Sequence, residues 1–178
     1  MGRPHPGRLY DLCAMAMMGV LLVVSKEALA GLPNFEAVSL LIILFTLSFG
    51  ARALGAVGVF LGLEGLLYGF GSWWVMYLYV WPLLWGLAML LGRALPLRLS
   101  RGWQWALVSG AYGLAFGTLC SLAYLPVGGV KMAFAWIVSG LPFDAAHGVG
   151  NFVLMLVLYY PLHRALESLA RLRKHIHT

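Results

Sequence analysis

The chain has 178 residues, of which 62% are hydrophobic and 10% are charged, with a formal net charge of +6. A water-soluble domain carries roughly 25% charged residues, so this composition leaves too little polar surface to cover a globule in water and predicts a chain surrounded mostly by lipid. The basic residues lie between and beyond the apolar runs, as topology determinants do, so the positive charge does not indicate nucleic-acid binding.

Six apolar runs follow one another along the chain, and each is interpreted as a membrane span within one transmembrane domain that covers residues 1–178. Their approximate bounds are 10–29, 37–49, 53–68, 73–91, 105–125 and 143–169. A span takes about 20 apolar residues, and shorter runs are tolerated where neighbours shield their ends. A further apolar piece at 130–139 is expected to form an outer loop or half-helix, and Pro142 is expected to open the sixth span.

The distribution of lysine and arginine favours six spans rather than five. With the N-terminus in the cytoplasm and six spans, 10 of the 12 Lys and Arg residues are cytoplasmic, and Lys26 and Lys131 are outside. If the short second run did not span, Arg93, Arg98 and Arg101 would lie outside, against the positive-inside rule. We therefore predict an all-α integral membrane protein, a bundle of six transmembrane helices with both termini in the cytoplasm.

Acidic residues within this apolar chain are informative because ionisable groups inside spans are costly and usually face a cavity or the bundle interior. In the six-span arrangement Glu27, Glu36, Glu64 and Asp144 all fall in the outer half. Glu64 lies well within the third span and shares a helical face with Tyr68, four residues on. A buried glutamate satisfied by a neighbour would explain it, but a substrate ligand is favoured because a neutral residue makes a structural hydrogen bond at lower cost.

Aromatic residues open the fourth span, where Trp74, Tyr77 and Trp81 fall on one helical face. An interfacial aromatic belt explains such a run. A wall that stacks against a flat or cationic small molecule explains it equally well. Both interpretations stay open.

Polar residues form a stripe at the start of the sixth span, where Asp144, His147 and Asn151 share one face. The stripe could be a seam between helices, but the floor of a binding pocket is favoured. A metal held by Glu64, Asp144 and His147 is conceivable, yet no metal-spacing motif supports it, so neither a metal nor another cofactor is predicted. No catalytic or nucleotide-binding motif is present, which argues against an enzyme and against a self-sufficient ATP-driven pump.

Several segments resemble the substrate-binding S-components of energy-coupling factor (ECF) transporters. The segments that carry the likeness are Pro33-Asn34-Phe35-Glu36 before the apolar residues 40–44, Tyr68-Gly69-Phe70-Gly71 before Trp73-Trp74, and Leu141-Pro142-Phe143-Asp144 through Gly150-Asn151-Phe152. The resemblance covers nearly the whole chain and includes its size, its six spans, its cytoplasmic ends and its long sixth helix.

The resemblance implies a protein of a bacterial cytoplasmic membrane that binds a vitamin or related micronutrient in an outward-facing pocket. It implies partnership with a transmembrane coupling subunit and two ATPase subunits, and no nucleic-acid partner. Small residues on the first helix usually face the coupling subunit, and Ala14, Ala16 and Gly19 occupy that region, although Met17 and Met18 break the usual spacing. The expected substrate-binding residues are Glu36, Glu64, Tyr68, Trp74, Tyr77, Trp81, Lys131, Trp136, Asp144, His147 and Asn151.

The acids and aromatics favour a flat substrate with a cationic or hydrogen-bond-donating group, such as a thiamine-like, pyridoxine-like or deazapurine-like compound. A cobalamin, folate or riboflavin substrate stays possible, and Lys131 could meet a substrate anion or pair with Glu27 or Glu36. The alternative function is a membrane scaffold or assembly protein whose polar stripe binds partner helices. A membrane enzyme that uses Asp144 and His147 is the third hypothesis.

Overall fold

The computed structural model describes residues 6–32, 35–94 and 102–177, with side chains described over 9–32, 35–93 and 102–168. Its helices are α1 (Pro6–Ala28), α2 (Val38–Phe49), α3 (Arg52–Tyr68), α4 (Ser72–Ala94), α5 (Gly102–Ser121) and α6 (Leu125–His177), with one 3-10 turn at Leu122–Tyr124. These ranges contain no strand, which confirms the all-α part of the predicted fold class. The segment that holds Pro33 and Asn34 lies outside the described residues.

Three helical segments are long and apolar enough to cross a membrane, namely Leu9–Ala28, Ser72–Arg93 and Gly102–Ser168, and Val38–Phe49 is a shorter apolar helix. The third segment is a hairpin, because Gly102 lies beside Tyr159 while Gly117 lies beside Asp144, so α5 and α6 are antiparallel. Apolar helices of this kind are compatible with a membrane location. Six crossings and cytoplasmic termini stay predictions that rest on the charge distribution.

α6 differs from the sequence-based expectation. Residues 130–139 do not form a separate loop or half-helix, and Pro142 does not open a helix, because both lie inside α6. The backbone breaks earlier, at Gly129, whose φ of 65° is a left-handed value that glycine adopts without steric cost. A proline removes one backbone donor, and apolar helix-forming residues on both sides let the helix continue through it.

α2 is the central helix, although it is only 12 residues long. It contacts all five of the other helices, and most of its side chains are buried, including Leu40, Ile43, Leu44 and Phe45. A helix that is apolar on every side is expected in such an enclosed position. Glu36, just before α2, thereby lies at one end of the bundle.

Small residues bring α5 and α6 close together. A Cβ atom at Gly113 would lie 2.8 Å from the Cα of Gly148, and one at Gly110 would lie 3.1 Å from the Cβ of Phe152. Glycines at a helix–helix contact let two backbones approach in this way. The close contact continues to Gly117, and there it determines where the side chain of Asp144 lies.

Candidate functional site

A cavity of about 660 Å³ lies at one end of the bundle. Its walls come from the end of α1, the segment before α2, the end of α3, the second turn of α4, the last turns of α5 and the middle of α6. The described lining residues are Lys26, Glu27, Leu29, Ala30, Leu32, Phe35, Glu36, Tyr68, Tyr77, Phe116, Gly117, Cys120, Trp136, Ser139, Gly140, Phe143, Asp144 and His147. Small-molecule sites typically span about 300–1,000 Å³, so the cavity has the size of such a site.

Asp144 is the most enclosed carboxylate on the cavity wall, with 6% of the residue exposed. Its Oδ1 accepts a hydrogen bond of 2.9 Å from the backbone N–H of Gly117. Its Oδ2 is buried and has no hydrogen-bond partner within the described part of the chain. A Cβ atom at Gly117 would lie 2.5 Å from Oδ2, so only glycine leaves room for this carboxylate against α5.

Glu36 and His147 form a second polar contact on the wall. Nε2 of His147 lies 3.2 Å from Oε1 of Glu36, which links α6 to the segment before α2. The ring of Phe116 lies 4.7 Å from the imidazole ring, centroid to centroid, in an edge arrangement. The carboxylate and the aromatic ring therefore hold the imidazole from two sides.

Asn151 belongs to the same helical stripe but has a different role. Its Nδ2 donates a 3.1 Å hydrogen bond to Oγ of Ser39, so it links α6 to α2, and it is absent from the described cavity lining. The predicted stripe on one face is therefore present, with Asp144 and His147 at the cavity and Asn151 in the packed interior.

Glu64 lies behind the wall rather than on it. Its side chain is fully buried and forms an ion pair with Nζ of Lys26. The same Nζ lies 4.7 Å from the centroid of the Tyr68 ring and 4.0 Å from Oε1 of Glu27. Lys26 and Tyr68 line the cavity. Lys26 pairs with Oε2 of Glu64 from another helix, a contact that the sequence did not predict, while Oε1 of Glu64 is buried without a hydrogen-bond partner among the described residues.

The aromatic residues of α4 divide into a wall and a support. Tyr77 lines the cavity. Trp81 is buried behind it, and its ring lies 5.4 Å from those of both Tyr77 and Phe116. Trp74 is not among the described lining residues, because its Nε1 donates to the carbonyl of Leu61 at 2.8 Å. The wall interpretation therefore suits Tyr77, while Trp74 and Trp81 have packing roles.

α6 contributes one further predicted residue to the cavity and leaves another outside it. Trp136 lines the cavity, and its ring lies 4.5 Å from that of Tyr124. Lys131 is exposed and is not among the described lining residues.

The cavity also contains residues that the sequence analysis did not select. Phe116, Gly117 and Cys120 come from α5, where the pairing of the hairpin brings them to the wall. Only a correct register between α5 and α6 could have identified them, because their own run contains no charged residue that would mark a site. Phe143 could have been suspected from its position next to Asp144.

The small residues predicted on α1 are not equally accessible. Ala16 is exposed and Ala14 is half-buried. Gly19 is buried, because it packs on α3 where an added Cβ atom would meet Val59. A partner that docks on α1 would therefore reach Ala16 and not Gly19.

Among the described residues, no group of three or more His, Cys, Asp or Glu side chains could hold a metal ion. No protein-family model matches this chain, and no curated protein and no solved structure matches it either.

Proposed function

We propose that the protein is the substrate-capture subunit of an ATP-driven importer of the ECF type, which binds a vitamin or related micronutrient in a bacterial cytoplasmic membrane. The observation that carries this proposal is the cavity at one end of an apolar bundle, with Glu36, Asp144 and His147 on its wall. Ionisable groups in such a chain are costly to place. Their convergence on one cavity supports a binding role.

The direction of capture follows from charge. The cavity wall includes the end of α1 and the segment before α2, which the six-span topology places on the outer side. The opposite side would carry 10 of the 12 Lys and Arg residues. The proposed pocket therefore opens to the outside, as an import subunit requires.

The energy for transport would come from partners, because the sequence contains no nucleotide-binding motif. A coupling subunit and two ATPases would supply it. α1 offers a surface for the coupling subunit, since Ala16 is exposed beside the exposed apolar side chains of Leu12, Met17 and Val20.

The scaffold alternative is less well supported. It needs a polar stripe that is available to helices of another protein. Asp144, His147 and Asn151 are all buried, and they bond to Gly117, Glu36 and Ser39 of the same chain. The stripe is thus used inside the bundle.

Affinity purification of the tagged protein from the membranes of its own cells tests the proposal. We expect a membrane-embedded subunit and two ATPases to co-purify. Ala16→Trp should reduce their recovery at least about tenfold, since a bulky side chain at a closely packed helix contact costs several kcal/mol. Val157→Trp, on an exposed part of α6, should leave recovery unchanged. Recovery of the protein without any ATPase would contradict the proposed function.

A further inference from the structure

We infer that the cavity binds a small planar molecule through a nitrogen donor, either cationic or N–H, that hydrogen-bonds to Oδ2 of Asp144. This inference rests on the proposed function, because it assumes that the cavity captures a small molecule. It adds the chemical class of that molecule and the atom that anchors it.

The unsatisfied oxygen is the starting point. Oδ2 of Asp144 is buried on the cavity wall without a hydrogen-bond partner in the described part of the chain, while Oδ1 is already used by Gly117. A buried carboxylate oxygen without a donor is costly. A ligand that brings the donor removes this cost, so the site favours ligands that have one.

The charge balance of the wall points the same way. Three carboxylates, those of Glu27, Glu36 and Asp144, line the cavity. Lys26 is the one lysine among the described lining residues, and its Nζ is paired with the buried Glu64. His147, also on the wall, lies against Oε1 of Glu36. A phosphate or carboxylate ligand would face the unpaired Asp144 oxygen while Lys26 and His147, the basic side chains of the described lining, are already paired with carboxylates, and such a like-charge contact excludes wrong ligands.

The planar shape follows from the aromatic side chains. Tyr77 and Phe116 both line the cavity, and the buried ring of Trp81 contacts each of them from behind at 5.4 Å. Rings held in this way present fixed faces and edges on which a flat molecule stacks. A positive charge on that molecule gains further from the ring faces.

Charge-selective thiol reagents test the electrostatic part directly. The sequence has two cysteines, so Cys13→Ser leaves Cys120 on the cavity wall as the sole thiol. Cationic aminoethyl and anionic sulfonatoethyl methanethiosulfonate would be applied to the full-length protein, and their rate ratio compared with that for a small free thiol. We expect the protein to shift the ratio at least about tenfold towards the cationic reagent.

Variants assign this selectivity to Asp144. Asp144→Asn keeps an oxygen for the N–H of Gly117 and should remove most of the shift. Glu167→Gln deletes the same charge from a side chain of α6 outside the described cavity lining, and it should change the ratio less than twofold. A ratio equal to that of the free thiol, or one unchanged in Asp144→Asn, would overturn the inference.

Ligand binding gives a second, independent measurement of the charge preference of the cavity. It tests the inference even if Cys120 reacts with neither reagent. Benzamidine and benzoate have nearly the same planar shape and opposite charge. We expect benzamidine to bind at least about tenfold more tightly, read by tryptophan fluorescence, and Asp144→Asn to abolish the difference. Gly117→Ala, which would displace the carboxylate, should act like Asp144→Asn. Gly58→Ala adds a Cβ atom outside the described cavity lining, without a neighbour within 4 Å, and should leave the preference for benzamidine unchanged. Equal binding of both probes, or tighter binding of benzoate, refutes the inference.

The two proposals fail in different ways. Co-purifying ATPases together with a cavity that prefers benzoate would leave the import function standing and reject the nitrogen-donor ligand. Charge selectivity at the cavity without any co-purifying ATPase would support the nitrogen-donor ligand and reject the import function.

Discussion

Glu64 and Lys26 form an ion pair that joins α3 to α1. Glu64 has no exposed side-chain surface, whereas 26% of the Lys26 side chain is exposed. Removing one partner of a buried pair leaves the other charge without compensation. The loss in the free energy of unfolding therefore depends on which of the two charged residues remains.

Lys26→Met should destabilise the protein more than Glu64→Gln. The first change leaves a fully buried carboxylate unpaired and is expected to cost about 3–5 kcal/mol. The second leaves a lysine that reaches solvent and lies near Glu27, so its cost is smaller. Reversible unfolding in mixed detergent micelles measures both free energies. The double variant Lys26→Met/Glu64→Leu should recover much of the loss, and equal losses for the two single variants would contradict this account of the pair.

Sequence reasoning at the level of residues succeeded where helical spacing determines position. Asp144 and His147 were predicted on one face from their separation of three residues, and both line the cavity. It could not identify Lys26 as the partner of Glu64, because the two residues are 38 positions apart and meet only through the packing of α1 on α3. Helical spacing also could not show that Trp81, which shares a face with Tyr77, lies behind the cavity wall, because this depends on how the helices pack.

The pairing of α5 with α6 is the contact between helices that builds the site. Gly113 and Gly148 allow the two backbones to meet, and the same register brings Gly117 to Asp144. Any side chain inserted between the two helices would push them apart and move the anchor carboxylate.

Gly113→Ala should therefore destabilise the hairpin. Its Cβ atom would lie 2.8 Å from the Cα of Gly148, and overpacking of this kind costs about 1–3 kcal/mol. Gly62→Ala is the matched control, because no atom lies within 4 Å of its Cβ position and alanine favours a helix by about 1 kcal/mol. Unfolding free energies of the two variants provide the measurement. A loss of stability in Gly62→Ala equal to that in Gly113→Ala would show that glycine content, and not close approach, matters.

The extent of the helices was largely predictable from the lengths of the apolar runs and from the glycines between them. The exception is the region before the sixth predicted span. Gly140-Leu141-Pro142 is a pattern typical of a helix boundary, yet the chain bends at Gly129. A proline excludes only one hydrogen bond, and whether the helix ends there depends on the packing around it, which the local sequence does not contain.

The chain forms an apolar helical bundle, and four of its six acidic residues, Glu27, Glu36, Glu64 and Asp144, lie at or beside the cavity. The sequence composition predicted long apolar helices, which are compatible with a membrane location. The uneven distribution of Lys and Arg predicts which end faces the cytoplasm, and this orientation stays a prediction. The cavity itself was not predictable in shape, since it depends on how five helices and one connecting segment meet.

Topology can be measured on the intact protein. A fluorescent protein fused to the C-terminus should fluoresce, while alkaline phosphatase at the same position should be inactive, because six crossings return the chain to the cytoplasm. In a Cys13→Ser/Cys120→Ser background, Leu32→Cys should react with a membrane-impermeant maleimide added to whole cells, since Leu32 is exposed at the cavity. Active phosphatase at the C-terminus would contradict the six-span arrangement.

Capture of a small molecule through Asp144 can be measured by native mass spectrometry of the protein purified from its own cell membranes. We predict a bound small molecule on the wild-type protein and on Glu167→Gln, which lies outside the described cavity lining, and its loss from Asp144→Asn. A wild-type protein that carries no ligand, or an Asp144→Asn protein that retains the wild-type ligand in full, would contradict this prediction.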